Sequence, residues 1–329
     1  MSFGNCQIQY TVVKYTELIF WEERLIPMWF WLSLAALLFW SGSDLFSKIG
    51  CQDARDKYGY LKMVMAVGLV MGLHACYEIF VGGTEISWHV MFTYLPVSCL
   101  YILSMAIGYL GLRYIELSIS SPICNSSGAI VAVLVLATDG VGSSTPLQLA
   151  AVACVCLGVV ALGVTEATED EDLRKARQDE ANRHYAKSWI AITIPIIYCL
   201  LDALGTFADS RVLLTLDEDS ANVAYELTFL AVGAVCAVYV LGIKKQKLVP
   251  KMEAPKYVGA VCETIGQFAY IYAIADEEHV ALAAPIISAY CVASVIWSRI
   301  FLKEKLSKKH YASIALVVVG IVILGIFDV

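Results

Sequence analysis

Residues 28–48 read MWFWLSLAALLFWSGSDLFSK, and residues 188–210 read SWIAITIPIIYCLLDALGTFADS. Each is an apolar run of roughly 20 residues, the length a helix needs to cross about 30 Å of hydrocarbon. In each a tryptophan is followed thirteen residues later by an aspartate: Trp31 and Asp44 in the first, Trp189 and Asp202 in the second. Two spans with the same aromatic-to-acid spacing point to a duplicated unit. The whole chain has the composition such spans demand. Of its 329 residues 59% are hydrophobic and 16% charged, and the mean hydropathy is +0.69. A soluble domain carries roughly 25% charged residues, so lipid is the solvent here.

Working outward, ten segments fit a membrane-spanning helix: 28–48, 61–81, 90–112, 117–137, 146–165, 188–210, 221–243, 257–275, 280–300 and 310–327. Between the fifth and sixth lies EATEDEDLRKARQDEANRHYAK, residues 166–187, whose mixed charges belong to a solvated linker. The chain therefore divides into a polar N-terminal segment 1–27, a first repeat 28–165, the linker 166–187 and a second repeat 188–329. The N-terminal segment lacks the basic start and cleavage site of a signal peptide, and the onset of hydrophobicity at Met28 makes that residue a candidate start of translation.

The repeat extends beyond the first pair. SSPICNSSGAIVAVL from Ser120 aligns with AAPIISAYCVASVIW from Ala283, pairing Pro122 with Pro285, and GVVALG from Gly158 answers GIVILG from Gly320. Five spans is an odd number, so the second copy enters the membrane upside down. Charge supplies an independent argument. The loops after spans 1, 3, 5, 7 and 9 hold four, one, five, five and five Lys or Arg, whereas the opposite side holds Lys14, Arg24 and Arg211. By the positive-inside rule the first set faces the cytoplasm and both termini lie outside. The expected fold is all-α and integral to the membrane, with ten transmembrane helices as two inverted five-helix repeats, an architecture common among transporters.

The stretch APIISAYCVASVIWSRIFLKEKLSKKHYASIALVVVGIVILG from Ala284 resembles the closing two helices of EamA-type members of the drug/metabolite transporter superfamily. It has their proline-containing helix, their short loop with an acid (Glu304) among basic residues, and their glycine-punctuated last helix. FWSGSDLFSK from Phe39 is similar to their first helix. The first half departs at LATDGVGSST, where Asp139 is the acid near the position corresponding to the loop of Glu304. The resemblance implies ten helices and transport of a small metabolite, amino acid-like or drug-like, across a bacterial-type inner (plasma) membrane.

Ionisable groups inside hydrocarbon are costly and mark a cavity or a partner. Asp44 and Asp202 lead the candidates, Asp44 with Lys48 four residues on as an alternative partner, and Asp202 as a group for a coupling proton. Glu263, Gln267 and Tyr270 recur at helical spacing on one face of span 8 and read as a polar lining. Tyr101 and Ser104 lie in the related span 3, and Asn125 follows Pro122 in span 4. Pro122 and Pro285 are expected to kink their helices and free backbone carbonyls toward substrate. Tyr225 and Glu226 stand near the acidic Asp217-Glu218-Asp219 loop and read as interfacial. His74 and Glu78 form a one-turn pair, and Gly68-x-x-x-Gly72 allows close helix approach, within the bundle or in a homodimer.

Other classes fare less well. The net charge of -7 argues against nucleic acid, which needs a clustered basic face. Nine of the eleven cysteines lie in apolar runs at irregular spacing, so neither a disulfide framework nor a metal is expected, and no cofactor. A membrane-embedded enzyme acting on a lipid or prenyl substrate is the alternative, but the acidic cluster Glu169-Asp170-Glu171-Asp172 sits in the polar linker, away from any helix end over a cavity. A non-enzymatic protein with a small-molecule substrate, protons and the bilayer as partners remains the expectation.

Overall fold

The computed structural model describes residues 27–53, 55–114, 117–140, 145–167, 190–276, 278–302 and 307–327. The polar N-terminal segment as far as residue 26 and linker residues 168–189 lie outside the described residues, as does Glu304. Among the described residues every regular element is a helix. In chain order these are α1 Met28–Cys51, α2 Gly59–Tyr77, α3 Trp88–Tyr114, α4 Leu117–Cys124, α5 Ser127–Asp139 and α6 Pro146–Ala167. There follow α7 Ile190–Val212, α8 Glu218–Ala237, α9 Pro250–Ile274, α10 Val280–Ser288, α11 Tyr290–Trp297 and α12 Lys308–Phe327. Wider π-turns extend α2 through Glu78–Gly82, α8 through Val238–Ile243 and α11 through Ser298–Leu302.

Among the described residues six stretches are long and apolar enough to cross a membrane: Met28–Cys51, Gly59–Gly82, Trp88–Arg113, Ser120–Asp139, Glu218–Ile243 and Val280–Leu302. The protein is therefore a multi-pass membrane protein by length and hydropathy. Helices α7, α9 and α12, of 23, 25 and 20 residues, pack among these stretches, and α6 contributes a shorter apolar stretch, Pro146–Leu162. The distribution of polarity suits lipid outside. Leu73, Phe80, Leu103, Leu157, Val235 and Val238 are exposed on the outer faces, while Ser33, Ser41, Ser98, Ser104, Asn125 and Gln267 are buried within.

The two discontinuities follow the prolines. Pro122 lies in α4, and the helix breaks at Asn125–Ser126 before α5 resumes; Pro285 lies in α10, and the break falls at Ala289 before α11. A proline offers no N–H to the carbonyl four residues before it, so the turn it weakens precedes it, whereas both breaks fall three to four residues beyond the proline. At the first break Asn125 helps to hold the chain, its Nδ2 donating to the Ser121 carbonyl at 2.8 Å.

Each half packs chiefly on the other. The broadest helix–helix contacts are α1 with α9, α6 with α12, α2 with α8, and α3 with α7. Several are reciprocal at close range. A Cβ placed on Gly158 would stand 3.1 Å from the Val317 nitrogen and 3.1 Å from the Ser313 carbonyl. One on Gly320 would stand 3.1 Å from the Val155 nitrogen and 2.8 Å from the Ala151 carbonyl. The indole of Trp40 covers Gly266, and the ring of Tyr198 covers Gly108. The Gly68-x-x-x-Gly72 motif is filled from within the bundle, Gly68 by the Phe229 carbonyl and Gly72 by the Leu230 side chain.

At one end of the bundle four buried charges alternate. Lys62 of α2 and Lys256 of α9 each bind both Asp56, in the α1–α2 loop, and Glu253 of α9, at 2.9–3.1 Å. Arg113, at the end of α3, donates to the Asp56 carbonyl, and Lys62 reaches the Lys247 carbonyl at 3.1 Å. The loops after the first, third and seventh segments thus meet at the same end.

Candidate substrate cavity

The helices of the two halves enclose a central cavity of about 920 Å³, counting the space at its mouth. Asp44 reaches it from α1 and Asp202 from α7, and both carboxylates are fixed by serine hydroxyls from the broken helices. Ser121 of α4 and Ser294 of α11 donate to Asp44 at 2.6 and 2.9 Å. Ser127, at the start of α5, donates to Asp202 at 2.7 Å. Lys48, considered as a partner of Asp44, donates instead to the Leu112 carbonyl at 2.9 Å.

One wall belongs to α9, where Glu263, Gln267 and Tyr270 line the cavity together. A second wall belongs to α3, where Met105, Tyr109 and Leu112 hold the positions 158 residues earlier in the chain. Trp40 and Tyr198 add aromatic faces, each one helical turn before its aspartate. The rings continue around the site. Trp40 stands 5.0 Å from Tyr270 and 5.8 Å from Tyr290; Tyr101 stands 6.0 Å from both Tyr270 and Tyr225. Three polar groups of this lining, Trp40 Nε1, Gln267 Nε2 and Tyr109 Oη, are buried without a hydrogen-bond partner among the described residues.

Behind the wall, Asp209 of α7 is fully buried. Tyr94 donates to it at 2.7 Å, and the Tyr101 hydroxyl lies within reach of Asp209 (3.4 Å), Thr206 (3.1 Å) and the Tyr270 hydroxyl. This knot locks α3, α7 and α9 together and fixes the orientation of two cavity tyrosines.

Of the residues expected from the sequence, Asp44, Tyr101, Asn125, Asp202, Glu263, Gln267 and Tyr270 line the cavity. Ser104 does not: it is fully buried, and its hydroxyl turns back to the Tyr101 carbonyl at 2.8 Å. Pro122 and Pro285 act one step back, in the helices whose breaks bring Asn125 and Tyr290 to the wall. The interfacial reading of Tyr225 and Glu226 is corrected. Tyr225 lines the cavity, and Glu226 is buried and bound to His74 at 2.9 Å, because α8 turns this face toward α2 and α3. His74 also approaches Glu78 at 3.6 Å. Trp40, Tyr198 and Asp209 were missed, although Trp40 and Tyr198 share the offset of 158 residues that pairs the aspartates. Among the described residues no group of three His, Cys, Asp or Glu side chains is placed to hold a metal ion.

No curated protein matches the chain. Among solved structures, one described as "Crystal structure of protein" is 15% identical with a TM-score of 0.60, covering 90% of this chain and 95% of its own; at that identity the likeness speaks for the fold alone. Residues 189–326 match the model of the EamA-like transporter family. Over that stretch the chain is similar to EamA-like transporters, a family of the drug/metabolite transporter superfamily.

Proposed function

We propose that the protein is a plasma-membrane transporter of ten spans, two inverted five-helix halves over residues 28–165 and 188–329, that moves a small metabolite by alternating access with a coupling proton. The observation that carries this reading is a cavity between the halves with repeat-equivalent residues on its walls: Asp44 with Asp202, Trp40 with Tyr198, and the α3 triplet with the α9 triplet. A site on the axis between two inverted units is the arrangement in which rocking of one unit on the other exposes one site to each side in turn. Reciprocal contacts such as Gly158 on Val317 and Gly320 on Val155 support the two-fold relation. The meeting of the basic loops at one end supports a cytoplasmic orientation for that end.

Asp202 is the candidate proton carrier, with Asp44 as its equivalent. Both are acids in a buried cavity, where burial penalises the charged form, so a proton or a substrate relieves the same penalty and the two compete. The titratable groups that line the cavity with Asp202 are the acids Asp44 and Glu263, the tyrosines 101, 109, 198, 225, 270 and 290, and Cys124, with Cys199 also within electrostatic reach. The enzyme alternative has nothing comparable in its favour, and its acidic cluster at residues 169–172 lies outside the described residues.

The test is transport by the purified chain in vesicles loaded with a metabolite mixture, with and without an imposed pH gradient. The native protein should deplete at least one metabolite in a gradient-dependent way. Asp202→Asn keeps the shape and accepts the Ser127 hydrogen bond, so it should abolish gradient dependence while the protein still purifies as a folded species. Asp44→Asn should have a comparable effect, since hydroxyls hold Asp44 as they hold Asp202. Unchanged rate and gradient dependence in Asp202→Asn would remove the proton role.

A further inference from the structure

The transport reading leaves open what enters the cavity, and its chemistry narrows the class. Three carboxylates, Asp44, Asp202 and Glu263, line it, and among the described residues no Lys, Arg or His does. The nearby buried lysines are engaged elsewhere: Lys62 and Lys256 in the ion-pair square, Lys48 at the Leu112 carbonyl. The groups that hold Asp44 and Asp202 are neutral hydroxyls. The site thus concentrates acids without an internal cation, which is costly in the ionised state and is offset by a positive ligand.

Two further features describe that ligand. The run Tyr290–Trp40–Tyr270–Tyr101–Tyr225 forms a continuous aromatic wall, and aromatic faces attract organic cations and cover flat apolar bodies. Gln267 and Tyr109, 3% and 6% exposed, each present an unpartnered polar atom to the cavity, as does the Trp40 indole N–H. Buried donors of this kind await an acceptor, and neutral donors suit an ether, hydroxyl or carbonyl oxygen. A carboxylate on the ligand would instead face three acids with no fixed positive partner.

We propose that the cavity binds a small monovalent organic cation, an amine or quaternary ammonium with a flat apolar body, its charge among Asp44, Asp202 and Glu263 and its body on the Trp40–Tyr290 wall. This rests on the transporter reading only for its consequence, movement across the membrane; binding is separable from it.

The experiment uses the full chain, purified in detergent, and four probes of similar size: phenethylamine, the neutral 2-phenylethanol, the anionic 3-phenylpropionate and the zwitterion phenylalanine. Binding is read by calorimetry and by quenching of tryptophan fluorescence. Phenethylamine should bind at least about tenfold tighter than 2-phenylethanol, and the anion and zwitterion more weakly still. Glu263→Gln and Asp202→Asn should each weaken binding of the amine about tenfold or more relative to binding of the alcohol. That selective loss distinguishes a charge contact from a general loss of fold, which would weaken both probes equally. Equal affinity for amine and alcohol, preference for the anion or zwitterion, or no binding of the amine would overturn the proposal. Vesicles loaded with the same probes keep the two readings apart. Movement of an anion or neutral probe with none of the amine would sink the substrate class and leave the transporter. Binding of the amine in detergent with no movement of any probe or metabolite would sink the transporter and leave the site.

Discussion

Gly68 of α2 and Gly233 of α8 lie face to face: a Cβ added to Gly68 would stand 3.1 Å from the Gly233 Cα, and one added to Gly233 would stand 3.2 Å from the Gly68 Cα. Each also faces a carbonyl of the other helix, Phe229 across from Gly68 and Val64 across from Gly233. The two residues are 165 positions apart, and so are Val64 and Phe229. Each half therefore offers the other the same surface, a small residue beside a bare carbonyl, which lets two backbones approach as closely as membrane helices do.

This symmetry makes a quantitative prediction. Gly158 and Gly320 occupy equivalent contacts between α6 and α12, so Gly158→Ala and Gly320→Ala should destabilise the protein by similar amounts, about 1–3 kcal/mol each, the usual cost of overpacking. Thermal unfolding in detergent, followed by tryptophan fluorescence or loss of monodispersity, measures both. A large cost for one and none for the other would contradict an equivalent placement of the two glycines.

A second prediction concerns orientation. With twenty Lys and Arg in the loops after odd-numbered spans and the structure gathering the loops of Lys62, Arg113 and Lys247 at one end, that end should be cytoplasmic. A reporter that functions only in the cytoplasm should be silent when fused after Val329 and active when inserted at Gln246. A bright fusion after Val329 would mean an odd number of crossings or a reversed orientation.

How far the sequence disclosed the site can be argued from single residues. Asp44 and Asp202 were legible because an acid in an apolar run is conspicuous and because both stand thirteen residues after a tryptophan. Gln267 was legible from its spacing to Glu263 and Tyr270. Trp40 and Tyr198 were not, because an aromatic in an apolar span carries no polarity contrast; the symmetry offset was the available signal. Tyr225 was misjudged because three acids precede it by a few residues, and proximity in sequence says nothing of which face of α8 looks inward. Asp209 was passed over beside Arg211, where it reads as a helix-end charge; its burial depends on Tyr94 and Tyr101, more than a hundred residues away. Ser104 was overcounted, since a serine in a helix readily spends its hydroxyl on a carbonyl of the preceding turn, here that of Tyr101. Composition and periodicity report length and polarity, whereas facing directions are set by the other half of the molecule.

The last prediction addresses the charge square. Asp56, Lys62, Glu253 and Lys256 are each at most 7% exposed in their side chains, and every cation in the square touches both acids. Removing one buried member leaves its neighbours as uncompensated charges, typically a loss of about 3–5 kcal/mol, whereas replacing a matched pair by apolar residues of similar volume is often close to neutral. Lys256→Met should therefore destabilise strongly, and Lys256→Met with Glu253→Met should recover much of that loss, since Lys62 and Asp56 still pair at 3.1 Å. The square joins the α1–α2 loop to α9, and Arg113 ties α3 to the same loop, so it holds these helix ends together on one side of the bundle. The double variant should thus restore thermal stability while changing access from that end. Cysteine placed at Gly50, which a Cβ would bring within 2.7 Å of the Lys256 side chain, reports the access through its rate of reaction with a membrane-impermeant thiol reagent. The comparison is made on the background in which the accessible native cysteines are replaced by serine. Faster labelling in the double variant at restored stability would identify the square as the closure of this end. Labelling as slow as with the square intact would assign it to stability alone.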